Sequence, residues 1–300
     1  METNQVKGVT RSSAHRQASI ECYRVVLMFG ICLLHCITQG GHQVRGLDNA
    51  LLSCVDGFVL ISGWFGIRPT ISKVMFLVSQ AACSLLIVSA VNYCIAGNVL
   101  SAQEYLLALK NFWFLWAYIV VMAIAPILDV DMKKAKGLLF VVFVWSYLTQ
   151  IPYVKDYVPR PIGFHAYSFL TLSGIYVCGR VLRKGNILSG VSTAVLIVIA
   201  LISFCVNWNG FGHYHSISAL VFAATTFECF RRLNVVGFLA KAITLASPSM
   251  FAVYLIHTNE YSVQWLRNLE DALFGFVGER AYFIFFVSGF IVFSCSLIMD

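Results

Sequence analysis

Ten stretches of this chain are apolar over close to the length of a membrane helix: 20–38, 49–67, 74–95, 112–128, 138–151, 164–181, 187–206, 216–230, 238–257 and 282–298. Crossing the hydrocarbon core takes about 20 largely apolar residues of helix. Inside that core each backbone N–H and C=O must find its partner within the chain, which favours helix. The expected fold is therefore all-α, a polytopic membrane bundle of about ten transmembrane helices. The fifth and eighth stretches are the shortest. Only 12% of the residues are charged and 59% are hydrophobic, against about 25% charged in a soluble domain.

The distribution of charge tests this reading. With the N-terminus inside, the loops on the inner face hold fourteen Lys and Arg residues and those on the outer face six. Every inner loop is basic, the bias expected of cytoplasmic loops. Both termini are then cytoplasmic. A basic leader covers residues 1–19, and one membrane domain covers 20–300. The net charge of +7 belongs to this topology and not to a nucleic-acid face. The ten cysteines fall mostly inside apolar runs and read as small buried hydrophobes. No stretch has the spacing of a metal site. His213 and His215 form an H-x-H pair without a third ligand, and no metal is expected.

The first segment, "ECYRVVLMFGICLLHC", carries ionisable residues where they are costly. Groups of this kind inside a membrane helix usually face the bundle interior or a watery cavity. Arg24 and His35 are 11 residues apart, three turns, so they share one face and stand roughly 16 Å apart along the axis. Glu21 lies three residues before Arg24, within ion-pair reach. The second segment runs the opposite way, which puts Asp56 at the depth of His35 and Arg68 near the level of Arg24. Asp56 is thus a candidate orienting carboxylate for His35. A plain interhelical hydrogen bond is the alternative for each. Trp113, Trp116 and Tyr118 read as an interfacial aromatic belt or a sugar-stacking platform. His257 ends the ninth segment at the depth of His35.

Five stretches together resemble the acyltransferase 3 family: "IECYRVVLMFGICLLH", "VDGFVLISGWFG", "WFLWAYIVVMAIAPIL", "FLTLSGIYVCGRVLRK" and "SPSMFAVYLIHTN" occur in that family's order. The resemblance runs from about Arg16 to His257. It implies a multi-pass membrane O-acyltransferase of the bacterial cytoplasmic (inner) membrane that acts in surface-polysaccharide biosynthesis. The implied donor is acetyl-CoA, and the implied acceptor is a surface polysaccharide or lipid-linked glycan. Arg24 and His35 match the family's first-helix arginine and histidine, Ser62-Gly63 its second-helix Ser-Gly, and Tyr254 to His257 its late Y-L-I-H. Where many members carry R-x-x-R, this chain offers Arg68 and Lys73 in "GIRPTISK".

The resemblance and the topology together assign expectations. Arg24, Arg68 and Lys73 hold the donor's phosphates. His35, with Arg24 and Asp56, carries the chemistry, as general base or as acyl-accepting nucleophile. Trp113, Trp116, Tyr254 and His257 contact the acceptor. Membrane lipids surround the bundle, and no nucleic acid is involved. A glycan or lipid-linked sugar transporter, or a polymerase, fits composition and topology equally well but does not explain the order of the motifs; a family member without catalysis is the second alternative, for which the incomplete basic motif at Arg68 and Lys73 leaves room.

Overall fold

The computed structural model describes residues 3–39, 46–97, 101–129, 131–148, 168–211, 216–277 and 281–300. Among them every regular element is helical. The helices are α1 (Thr3–Gln39), α2 (Leu47–Leu51), α3 (Ser53–Phe65), α4 (Ile71–Ala96), α5 (Ala102–Asn111), α6 (Trp113–Leu128) and α7 (Met132–Leu148). They continue with α8 (Phe169–Gly185), α9 (Thr193–Val206), α10 (Ile217–Arg232), α11 (Gly237–Ala246), α12 (Met250–His257), α13 (Glu260–Val277) and α14 (Ala281–Met299).

Each of the ten apolar stretches falls on this helical framework, with local differences. By length and composition four described helical segments are fit to cross a membrane: Ala18–Gln39, Ile71–Ile95, Thr193–Gly210 and Gly237–His257. A fifth is the pair α5 and α6, bent by 58°. The protein is thus a multi-pass, all-helical membrane protein. Stretch 49–67 is divided at Leu52 into α2 and α3, and stretch 238–257 is broken by a 3-10 turn at Ser247–Ser249. Described leader residues from Thr3 continue α1 without a break. The ends of 138–151 and 164–181, His213, His215, Arg45, Lys155, Arg160 and Arg280 lie outside the described residues.

Serine and threonine hydroxyls start many of the helices. Thr70, Ser101, Ser168, Ser192 and Ser216 each accept from a backbone N–H in the first turn, a contribution of about 1 kcal/mol apiece. Ser101 and Glu104 complete a capping box. The bend between α5 and α6 is closed by Trp116, whose Nε1 donates to Leu109 O at 3.0 Å.

Helix α1 is the central strut, in contact with α3, α10, α11, α12 and α14. Tyr23 ties it to α10 by donating to Ala223 O at 3.1 Å, with Thr226 Oγ1 at 2.8 Å. Helices α3 and α8 cross with their backbones nearly touching. A Cβ on Gly63 would fall against the carbonyl of Tyr176, and one on Gly179 against the backbone of Leu60 and Trp64. Only small residues permit that approach between membrane helices.

Ion pairs gather one end of the bundle. Asp129, after α6, accepts from Arg180 at 2.8 Å and Lys184 at 2.7 Å. Glu228 holds Arg231 and Arg232. Arg232 also donates to Leu188 O and Val191 O, both at 2.7 Å, and Arg183 caps α3 through Trp64 O at 2.9 Å. Much of the basic character expected of the inner loops is therefore engaged in holding helix ends together.

Helix α13 was not among the apolar stretches because it is amphipathic. It docks through Leu266, which packs with Cys36 and Ile37 of α1 and Phe285 of α14. One turn later Glu270 is fully buried, and its carboxylate oxygens have no hydrogen-bond partner among the described residues. Burial, with Asp271 alongside, pushes this carboxyl from its usual 4.5 up to about 8. The folded protein then holds a proton that the unfolded chain releases. Stability from this group is full below about pH 4.5 and is lost as the pH rises through 8. Glu270→Gln should melt with wild type near pH 5 and above it at pH 9, by about 2–4 °C per kcal/mol recovered. Equal midpoints at pH 9, read by thermal unfolding in detergent, would contradict this burial.

Candidate active site

Two cavities lie along α1 and share three wall residues, His35, Trp113 and Tyr254. The first, of about 300 Å³, reaches from Arg24 to His35 and is lined largely by apolar and aromatic side chains of α1, α3, α6 and α12. The second, of about 510 Å³, begins at His35 and is lined by polar groups, among them Gln39, Glu260, Gln264 and Arg267. The arginine and histidine that share a face of α1 thus mark the two ends of the first cavity. The histidine also opens onto the second.

The hydrogen bonds around His35 fix its tautomer. His257 Nδ1 lies 2.5 Å from Val253 O, one turn back on α12. A carbonyl oxygen can only accept, so His257 Nδ1 carries the hydrogen. The neutral ring then has its lone pair on Nε2. That atom is 2.8 Å from His35 Nδ1, so His35 Nδ1–H is the donor. What remains on His35 is Nε2 with a free lone pair, on a ring that borders both cavities. An imidazole oriented in this way is equipped to take a proton, and the second ring spreads the charge it gains. The thiol of Cys32 lies 3.8 Å from His257 Nδ1 and completes the enclosure.

At the other end Arg24 Nη1 donates to both Glu21 oxygens, at 2.7 and 2.8 Å. Ser247 Oγ, at the break between α11 and α12, donates to the same carboxylate. These bonds occupy Nη1 alone among the described residues. The side chain keeps 34% of its surface open, so its other donors are available to a ligand in the cavity.

The wall between the two ends is aromatic. Ser62 Oγ sits 2.9 Å from the Tyr118 hydroxyl. Tyr118 stacks on Phe114, with centroids 5.7 Å apart, and Phe114 meets Tyr254 edge-on at 5.7 Å. Phe251 stacks on Tyr254, with centroids 6.0 Å apart. The Ser-Gly pair therefore has two tasks: Ser62 places Tyr118, and Gly63 lets α3 meet α8.

Several expected site residues lie elsewhere. Asp56 does not pair with His35, whose partner is His257. Asp56 is fully buried, and neither carboxylate oxygen has a hydrogen-bond partner among the described residues. Trp116 lines neither cavity; it closes the α5–α6 bend. Arg68 and Lys73 are exposed at the α3–α4 connection, where Lys73 Nζ donates to Arg68 O at 2.8 Å. Neither lines the cavity that contains Arg24. His257, expected against the acceptor, stands behind His35 instead. Among the described residues no three His, Cys, Asp or Glu side chains converge on a point that could hold a metal. The sequence reading passed over Ser247 and the residues of α13. The S-P-S break within an apolar run and the polar spacing of Glu260, Gln264 and Arg267 are the signals that carried them.

The chain matches the acyltransferase 3 family, an acyltransferase domain, over residues 17–299. It belongs to that family. No curated protein and no solved structure matches it. The match covers nearly the whole chain of this membrane acyltransferase domain, and both cavities fall within it.

The geometry makes His257 a residue placed to orient His35, and that placement is testable. His257→Ala leaves His35 Nδ1–H without its acceptor and should lower kcat for acyl transfer by about 10²-fold, with the donor KM within twofold. His257→Gln, whose amide oxygen can still accept, should recover part of the rate. A steady-state assay that finds wild-type kcat in the alanine variant would remove His257 from the mechanism.

Proposed function

We propose that this protein is a membrane O-acetyltransferase. It moves an acetyl group from cytoplasmic acetyl-CoA to a sugar hydroxyl of a surface polysaccharide or lipid-linked glycan on the other side of the bacterial inner membrane. The observation that carries this reading is the meeting of two unlike cavities at one imidazole. The cavity between Arg24 and His35 is lined by apolar and aromatic side chains, suited to a pantetheine arm with its thioester at the far end. The cavity beyond His35 is rich in amides and charged groups, the chemistry that hydrogen-bonds sugar hydroxyls. Family membership supports acyl transfer in general.

In this reading Arg24 binds the donor by charge-assisted hydrogen bonds through the donors that Glu21 leaves free. Trp113 and Tyr254 flank the place where the two substrates meet. His35 Nε2 takes the proton of the acceptor hydroxyl as its oxygen attacks the thioester carbonyl. The C–O bond forms, the C–S bond breaks, and His35 returns the proton to the departing thiolate. No proton is gained or lost overall. Both substrates reach His35 from opposite sides at once, so direct transfer needs no acetyl-enzyme, and His35 acts as a general base.

The test is acetyl transfer by purified protein in lipid vesicles, supplied with acetyl-CoA and a surface-glycan extract. His35→Ala should lose at least about 10²-fold in rate while remaining folded in the membrane. Arg24→Ala should raise the acetyl-CoA KM by about tenfold or more. Wild-type turnover in His35→Ala, or labelled acetate retained on His35 after incubation with donor alone, would overturn the general-base mechanism.

A further inference from the structure

The second cavity contains an arginine that is held unlike most of the others. Arg24 is paired with Glu21, Arg180 with Asp129, and Arg231 and Arg232 with Glu228. Arg267 has no carboxylate partner among the described residues. Its hydrogen bond there runs from Nε to Gln39 O, at 2.8 Å. That bond fixes the plane of the guanidinium and leaves both Nη groups free. The side chain is exposed and lines the cavity that His35 opens onto. Gln39 is itself one helical turn beyond His35 on α1.

The helix that presents Arg267 is set in place by its other face. Leu266 packs into the cluster of Cys36, Ile37 and Phe285. Glu260, Gln264 and Arg267 are spaced i, i+4 and i+7, so they share one face and extend about 10.5 Å along the axis. All three line the second cavity. Gln39 lines it too, and its side-chain oxygen is buried without a hydrogen-bond partner among the described residues. A ligand hydroxyl would satisfy that oxygen.

We propose that this face of α13 recognises an acidic glycan: Arg267 grips a carboxylate or phosphate on the acceptor chain, while Gln264, Glu260 and Gln39 hydrogen-bond its hydroxyls. A guanidinium fixed through Nε presents its two Nη groups as a fork that matches a carboxylate or phosphate. Glu260, at the other end of the same face, repels an anion there and so sets the direction in which the chain lies. The proposal rests on the acyl-transfer reading for its consequence, that α13 selects which glycans are acylated. The binding site itself is tested without any donor.

The experiment is equilibrium binding to the full-length protein in detergent, with three probes of similar length. These are a glucuronic-acid-containing oligosaccharide, its carboxyl-reduced neutral counterpart, and a glycerol phosphate oligomer. Wild type should bind an acidic probe at least about tenfold tighter than the neutral one. Arg267→Gln should lose that preference and bind the neutral probe as before. Arg267→Lys, which keeps the charge but not the fork, should fall between them, and thermal midpoints confirm that each variant is folded. Preference for glucuronate alone assigns a sugar carboxylate, preference for glycerol phosphate alone a phosphate, and tight binding of both a general anion site. Wild type that binds the acidic probes no better than the neutral one, or a preference that survives Arg267→Gln, overturns the proposal. Selective binding without acetyl transfer would leave this site standing and remove the proposed activity instead.

Discussion

The hydrogen bond between His35 and His257 is the contact on which the site depends. It is one of two polar clamps between α1 and the broken helix α11–α12; the other joins Glu21 to Ser247. The first cavity lies between these clamps. Each clamp sets the state of a cavity-lining group as well as fastening the helices. The Glu21 clamp holds Arg24 by one nitrogen and leaves the rest of its guanidinium to a ligand. The histidine clamp sets which ring nitrogen of His35 is bare. Neither could be left half made, because an unpaired polar group at that depth costs about 1–3 kcal/mol. The break at Ser247–Ser249, which contains Pro248, holds the serine hydroxyl that donates to Glu21.

Arginines divide by task in this protein. Arg180, Arg183, Arg231 and Arg232 spend their donors on carboxylates and helix-end carbonyls, and so gather the ends of α3, α6, α8 and α10. Arg24 and Arg267 each make a single fixing contact and line a cavity. The guanidinium suits both uses because its planar fork can be held through one nitrogen while others stay free. The pattern explains why a count of basic residues does not separate cations that line a cavity from those that join helix ends.

How much the sequence revealed depended on the coordinate in question. Position along the helix axes was legible from helix length and direction for His35 and His257, which meet through a hydrogen bond. Rotation about each helix axis was legible only within one helix, from the 3.6-residue period. It served for Arg24 and His35 on α1. Neither coordinate served for Asp56: Cys54 abuts Gly30 and Gly57 abuts Leu27 and Tyr23, so Asp56 lies about two turns short of His35 along α1, and its carboxylate makes no bond to it. Trp116 was misplaced because it lies on the face of α6 turned away from Phe114 and Tyr118, from which its indole N–H reaches back to Leu109 O. Helix α13 escaped notice because a search for continuous apolar runs passes over an amphipathic helix, even one that forms a wall of the site.

The central claim is that donor and acceptor approach His35 from opposite sides of the bundle. Sealed vesicles with the protein in a single orientation test it most directly, with a membrane-impermeant glycan acceptor outside and labelled acetyl-CoA placed either inside or outside. The account predicts labelled acceptor only when the donor is enclosed on the Arg24 side and the acceptor is on the Arg267 side. Transfer at equal rate with both substrates on the same side would contradict it.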